Sequence, residues 1–141
     1  MIYLDTNVVI AFVDELDPNH GRALKFLRRL KGDRVVSELT LVELASVYSR
    51  AGLRNPLSLA LYSVEVVGAK VVRAGLGEVL RQAFKLAPTL RLRTLDLIHV
   101  ATCKVIGADL FATFDKDIVA KRDAVREVGV EVVTYGERAG D

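Results

Sequence analysis

The chain opens Met1-Ile2-Tyr3-Leu4-Asp5-Thr6-Asn7, and the reading of that stretch decides the fold class. Three apolar residues run straight into an acid. A short, wholly apolar run bounded by a polar residue suits a strand covered on both faces. Asp5 closes that strand, and a helix is expected over about 6–14, with Thr6 as its N-cap. The carboxylate therefore stands where a strand ends and a helix begins.

The same alternation runs outward along the chain. Short β-rich segments are expected at 34–37, 70–72, 109–113 and 131–134. Helices are expected at about 20–31, 40–51, 56–67, 76–86, 94–106 and 115–128. Pro56 suits a first helical position and Gly52 the position after a helix. Strands alternating with helices give an α/β fold. Its sheet is mostly parallel, has four to five strands, and carries helices on both faces. In such sheets ligands bind beyond the carboxyl ends of the strands. The 141 residues suffice for one domain, expected over 1–134, with a short tail over 135–141.

Most of the 18 acids lie in polar turns or on solvated helix faces. Four do not. Asp5 ends Ile2-Tyr3-Leu4, Glu43 interrupts Leu41-Val42-Glu43-Leu44-Ala45, Asp96 lies in Leu95-Asp96-Leu97-Ile98, and Asp115 follows Leu110-Phe111-Ala112-Thr113-Phe114. A carboxylate among apolar neighbours needs a cation, a hydrogen bond or a proton. Asp5 and Asp115 follow strands, Glu43 lies about one turn into a helix, and Asp96 is near a helix start with Thr94 as its expected cap. Parallel strands can bring all four to one sheet edge. Two carboxylates about 5 Å apart repel by roughly 3 kcal/mol at an effective dielectric of 20. A divalent cation relieves that repulsion, and oxygen-only ligation suits Mg²⁺ or Mn²⁺ rather than zinc. The competing reading makes Asp5 and Asp115 plain helix caps, and Glu43 and Asp96 solvent-facing helix residues.

The four stretches together resemble the PIN domain, in particular the toxin nucleases of VapBC-type toxin–antitoxin pairs. Tyr3-Leu4-Asp5-Thr6-Asn7 resembles the first acid motif, and Ser37-Glu38-Leu39-Thr40-Leu41-Val42-Glu43 the second. Thr94-Leu95-Asp96-Leu97-Ile98-His99-Val100-Ala101-Thr102 resembles the third, and Phe111-Ala112-Thr113-Phe114-Asp115-Lys116-Asp117 the fourth. The resemblance spans residues 1 to about 134 in the family's order. It implies a Rossmann-like sheet and a Mg²⁺ or Mn²⁺ site held by Asp5, Glu43, Asp96 and Asp115. It implies hydrolysis of RNA that leaves a 5′-phosphate and a 3′-hydroxyl. Asn7, Thr113 and Asp117 would stand behind the acids and orient them. A homodimer and an antitoxin whose tail lies over the site are implied as partners. A PIN nuclease of RNA processing without an antitoxin, and a non-catalytic metal- or RNA-binding module, remain as alternatives.

Other residues are read more plainly. His99 and Cys103 share a helical face with Asp96, but two His and one Cys in the chain make a poor zinc set. His99 is expected to be packed and bonded locally, Cys103 to fill core space, and His20 to lie on the surface at a helix start. Among many bases, Arg91 and Arg93 flank Leu92 just before the Asp96 helix and are the first candidates for RNA phosphates. A phosphatase with a strand-end nucleophile would want an acid at position 7, where Asn7 stands, and a receiver domain would want paired acids after its first strand. The longest apolar runs, such as Val8 to Val13, fall far short of the ~18 residues a membrane span needs. The N-terminus lacks the basic region of a signal peptide, so a cytoplasmic protein without a membrane partner is expected.

Overall fold

In the computed structural model, which describes residues 1–136, five strands form one wholly parallel sheet. They are β1 (Ile2–Leu4), β2 (Arg34–Ser37), β3 (Ala69–Val72), β4 (Leu110–Ala112) and β5 (Glu131–Val133). Their order is β3-β2-β1-β4-β5. Eight helices connect them: α1 (Thr6–Val13), α2 (His20–Arg29), α3 (Glu38–Arg50), α4 (Pro56–Val66), α5 (Leu76–Leu90), α6 (Thr94–Ile106), α7 (Lys116–Ala120) and α8 (Arg122–Glu127). The expected α/β class, with a parallel sheet covered on both faces, is what the chain forms.

Alternation along the central strands builds two cores. Ile2 and Leu4 face one way, with Val36 and Ala112, into a cluster completed by α1 to α4. Tyr3, between them, faces the other way with Val35, Phe111 and Val132, into a cluster completed by α5 to α8. All three residues of β1 are essentially inaccessible to solvent, which is why its sequence has no polar alternation.

β1 is also where the strand order reverses. β2 pairs with one edge of β1 and β4 with the other, so the connections from β1 and β4 leave in opposite directions. A crevice opens between them at the carboxyl ends. Asp5 and Thr113 stand at that point, directly after β1 and β4.

Most boundaries lie within two residues of expectation, and three departures stand out. Helix α3 starts at Glu38 rather than 40, because Ser37 and Thr40 form a reciprocal capping box. Helix α5 runs to Leu90 rather than 86, through Pro88. Burial of Leu90 outweighs the proline's missing donor in the last turn, and Arg91 then closes the helix with φ 52°. The stretch expected as one helix over 115–128 breaks at Lys121 into α7 and α8. Two expected caps also move. Asp5, not Thr6, caps α1, and Arg93, not Thr94, occupies the cap position of α6. Of the expected C-terminal tail, Tyr135 and Gly136 follow β5, and 137–141 lie outside the described residues. Among the described residues no helix is long and apolar enough to cross a membrane.

Candidate active site

Asp5 is the innermost of the four acids. Its backbone N–H continues the sheet ladder to Ala112 O at 2.9 Å. Its Oδ1 accepts the Thr6 N–H at 2.8 Å, and its Oδ2 accepts the Thr113 hydroxyl at 2.7 Å. The same Thr113 oxygen accepts the Asp115 N–H at 3.0 Å. One hydroxyl thus ties the ends of β1 and β4 together and locks two acids in register. Burial pushes the Asp5 carboxyl above its ordinary range. The charge of His99 and the Thr113 and Thr6 hydrogen bonds pull it back, and Glu43 adds to the rise.

Glu43 reaches the same crevice from the second turn of α3. Its Oε1 accepts the Thr6 hydroxyl at 2.9 Å and is in close contact with His99 Nε2. Burial alone would raise this carboxyl, but the His99 bond and charge and the Thr6 bond outweigh it, so Glu43 is held low. Burial likewise disfavours a charged His99, while the Glu43 hydrogen bond and the charges of Asp5, Glu43 and Asp96 raise the imidazole.

Asp96 projects from the first turn of α6, one helical turn before His99. Partial burial raises its carboxyl, and repulsion from Asp115, Asp5 and Glu43 adds to the rise against the opposing charge of His99. The result is a value pushed up to about 6 from an ordinary 3.8. Asp115 caps α7, its Oδ1 accepting the Asp117 N–H at 2.8 Å. Asp96 therefore lies within electrostatic range of Asp115, Asp5 and Glu43, and Asp5 within range of Glu43. Both strand-end acids also act as helix caps, so cap and site roles coincide.

Among the described residues, no three acid, histidine or cysteine side chains are drawn tightly enough to make a ready ligand cage. The donor chemistry nonetheless fits a hard divalent cation. The four carboxylates offer only oxygen, and Asp96 is raised by burial and, after it, by the charges of Asp115, Asp5 and Glu43, a repulsion that a cation would relieve. Asp5, Glu43, Asp96 and Asp115 are the side chains that could hold it.

The remaining residues sort by what they touch. Thr113 contacts Asp5, and Asn7 Oδ1 accepts the Phe114 N–H at 3.3 Å, fixing the β4 exit against α1. Asp117 offers the site only its backbone N–H, and its side chain is exposed. Thr6, expected as a cap, instead donates to Glu43. His99, expected to bond locally, is buried but bonds Glu43 and Tyr3, far away in sequence. The only sequence sign of either role is that each lies within three residues of an acid. Cys103 is a buried core thiol directed at Ala108 O. His20 begins α2 half-buried, its Nδ1 2.8 Å from Ala11 O. Arg91 and Arg93 are exposed in the α5–α6 turn, immediately ahead of Asp96. A cleft of about 420 Å³ lies beside Asp115, lined by its neighbours Phe114 and Lys116 and by Arg22 and Tyr135. The Arg22 guanidinium stands 5.7 Å from the Tyr135 ring centroid.

Comparison with known proteins agrees with this architecture. A family profile described as PIN domain matches residues 2–124. No curated protein matches the chain. Among solved structures, Mycobacterium tuberculosis VapC20, described as a sarcin-ricin loop cleaving toxin, superposes with a TM-score of 0.69 at 18% identity, over 85% of this chain and 94% of that one. VapBC-1 of nontypeable Haemophilus influenzae gives 0.65 at 18%, over 97% and 100%. FitAcB of Neisseria gonorrhoeae gives 0.62 at 21%, over 94% and 96%. At these identities the likeness is one of fold.

Proposed function

The chain belongs to the PIN domain family, and on that premise we propose that it is a Mg²⁺- or Mn²⁺-dependent endoribonuclease, the toxin of a VapBC-type toxin–antitoxin pair. The observation that carries this reading is the convergence of Asp5, Glu43, Asp96 and Asp115 at the point where the strand order reverses. Burial, with repulsion from Asp115, Asp5 and Glu43 added to it, pushes the Asp96 carboxyl up to about 6. Such a group of acids is stabilised by a divalent cation.

A cation held there would supply an activated water and a charge clamp on phosphate oxygens. The chain's own residues do the rest. Asp5 is fixed through Thr113 and Thr6, so one acid stays rigid at the sheet end. Glu43 is fixed through His99 and Thr6. Asp96 and Asp115 stand at helix starts, where the backbone partial charge tolerates an anion. Arg91 and Arg93, exposed just ahead of Asp96, and Lys116, next to Asp115 and sharing a cleft with Arg22, are the bases offered to the phosphates of a bound strand. The test is RNA cleavage by purified protein with added Mn²⁺, against the same protein in chelator. Absence of any Mn²⁺-dependent cleavage overturns the nuclease reading.

Arg93→Ala should raise KM several-fold and lower the salt dependence of RNA binding by about one ion, with kcat within twofold. Binding titrations at several salt concentrations read this directly. An unchanged slope would remove Arg93 from the RNA path.

A protein partner is supported by surface that the domain leaves apolar. Leu76, Leu80 and Phe84 repeat every fourth residue along α5 and are 69%, 47% and 83% exposed. Leu57 and Leu61 do the same on α4. Such aligned exposure marks an interface more often than chance. We assign these faces to a second copy and to the antitoxin. Phe84→Asp should weaken self-association, as measured by sedimentation. Equal association of variant and wild type would exclude the α5 face from the dimer.

A further inference from the structure

One imidazole stands at the centre of the acids. His99 is 1% exposed. Its Nε2 contacts Glu43 Oε1 and lies 3.9 Å from Asp5 Oδ1. A carboxylate only accepts, so the proton in the Glu43 bond belongs to Nε2. The other ring nitrogen, Nδ1, is 2.6 Å from the Tyr3 hydroxyl, which is itself 2.7 Å from Ser37 Oγ. Ser37 is anchored in turn by the capping box at the start of α3. A continuous chain of buried contacts therefore runs from the α3 cap, through the central strand, to the imidazole of α6 and back to Glu43 on α3.

That chain closes a loop. Ser37 and Glu43 belong to the same strand–helix unit, while Tyr3 comes from β1 and His99 from α6. The loop fixes the imidazole at both nitrogens, so the ring can neither flip nor tilt without losing a buried hydrogen bond. The ring edge stacks near Phe111, with centroids 6.3 Å apart, which restrains it further.

Glu43 needs such restraint. It is a long side chain that loses much rotamer freedom when held, it is only half-buried, and Asp5 and Asp96 repel it. Both of its described donors, Thr6 and His99, fall on Oε1. No described hydrogen bond falls on Oε2, which leaves that oxygen available to a ligand.

We infer that His99 is a positioning residue, which holds Glu43 through Oε1 so that Oε2 is presented to a cation among Asp5, Asp96 and Asp115, with Tyr3 and Ser37 holding His99 in turn. This rests on the proposed metal-dependent function for its purpose but not for its geometry. Burial alone demands a partner for each ring nitrogen; the specific feature is that the partner at Nε2 is one of the four acids.

Two volume-conserving variants separate the roles. His99→Gln keeps an N–H donor near the Nε2 position. His99→Leu keeps the bulk and removes the donor. Mn²⁺ binding to the full chain, followed by titration calorimetry, should weaken about 10- to 100-fold in His99→Leu, the scale usual for groups that orient metal ligands. His99→Gln should recover most of that loss. Tyr3→Phe, which frees Nδ1 and the Ser37 hydroxyl but leaves the Nε2 contact, should weaken binding by a few-fold. The metal-free protein gives an independent reading. The His99 Nε2–H should appear in NMR as a slowly exchanging imidazole proton, and Glu43→Ala should abolish it.

Wild-type Mn²⁺ affinity in a folded His99→Leu, or no recovery in His99→Gln, overturns the inference. So does a wild-type protein with no slowly exchanging Nε2–H. Should His99→Leu fail to fold, Tyr3→Phe and the imidazole proton still decide. Should wild type bind no Mn²⁺ while the imidazole proton is present and sensitive to Glu43, the nuclease reading falls and the hold of His99 on Glu43 stands.

Discussion

Asp96→Asn should abolish Mn²⁺-dependent RNA cleavage, by at least about a thousandfold in single-turnover rate, and at the same time make the metal-free protein more stable at pH 7.5. A thousandfold is about 4 kcal/mol of barrier, a reasonable loss for one of four charged ligands. The gain in stability follows from electrostatics. In the folded chain Asp96 is raised to about 6 from 3.8 by burial and by Asp115, Asp5 and Glu43. Between those two values the folded state binds more protons than the unfolded state, so stability falls as pH rises through this window. Above pH 6 the whole penalty is present, and below about pH 4 it is gone. Asparagine has nearly the same shape and no charge, so it removes the penalty. Asp96 is partly exposed, and screening by solvent keeps the gain small. Thermal melts in chelator at pH 7.5 and 4.5 should show the variant clearly ahead at the higher pH and by much less at the lower. A variant that cleaves within tenfold of wild type, or that melts lower at pH 7.5, would show that Asp96 is not held in a field of like charge.

The acids were legible because each breaks a local pattern. Asp5 and Asp115 end short apolar strands, and Glu43 and Asp96 interrupt apolar helix faces, so each stands out within a few residues. The fold class was legible for the same reason, since the wholly apolar Ile2-Tyr3-Leu4 can only be a strand covered on both sides. His99 breaks no such pattern. A histidine among Ile98, Val100 and Ala101 looks like packing, and its partners at Tyr3 and Glu43 become neighbours only when β1, α3 and α6 are set in register. Thr6 was hidden by its own suitability as a cap. Asp5 took that position, leaving the threonine hydroxyl free to reach Glu43. The early start of α3 rests on Ser37 and Thr40, a capping box with threonine in the place where glutamate or glutamine is usual. The extension of α5 past Pro88 depended on burial of Leu90, a tertiary effect that local propensity does not contain.

Addition of Mn²⁺ to metal-free protein should raise Tm by roughly 10 °C at pH 7.5 when the free ion is about 100 times its Kd. Binding to the folded state alone contributes about 2.7 kcal/mol at that ratio. For a chain of this size each kcal/mol moves Tm by about 3–4 °C. The shift should shrink at lower pH for a specific reason. Asp96, raised to about 6, holds a proton below that value, and the ion must displace it. One displaced proton weakens binding about tenfold per pH unit, so at pH 5 the same ion concentration is only about 10 times Kd. The stabilisation is then about 1.4 kcal/mol, or roughly 5 °C. In Asp96→Asn this proton competition is gone, and whatever shift remains should lose its dependence on pH between 5 and 7. Differential scanning fluorimetry across that range, with Mn²⁺ and then with chelator, gives all of these values. A wild-type shift that does not change with pH would mean that the ion binds away from Asp96, and no shift at all would mean that these four carboxylates do not hold it.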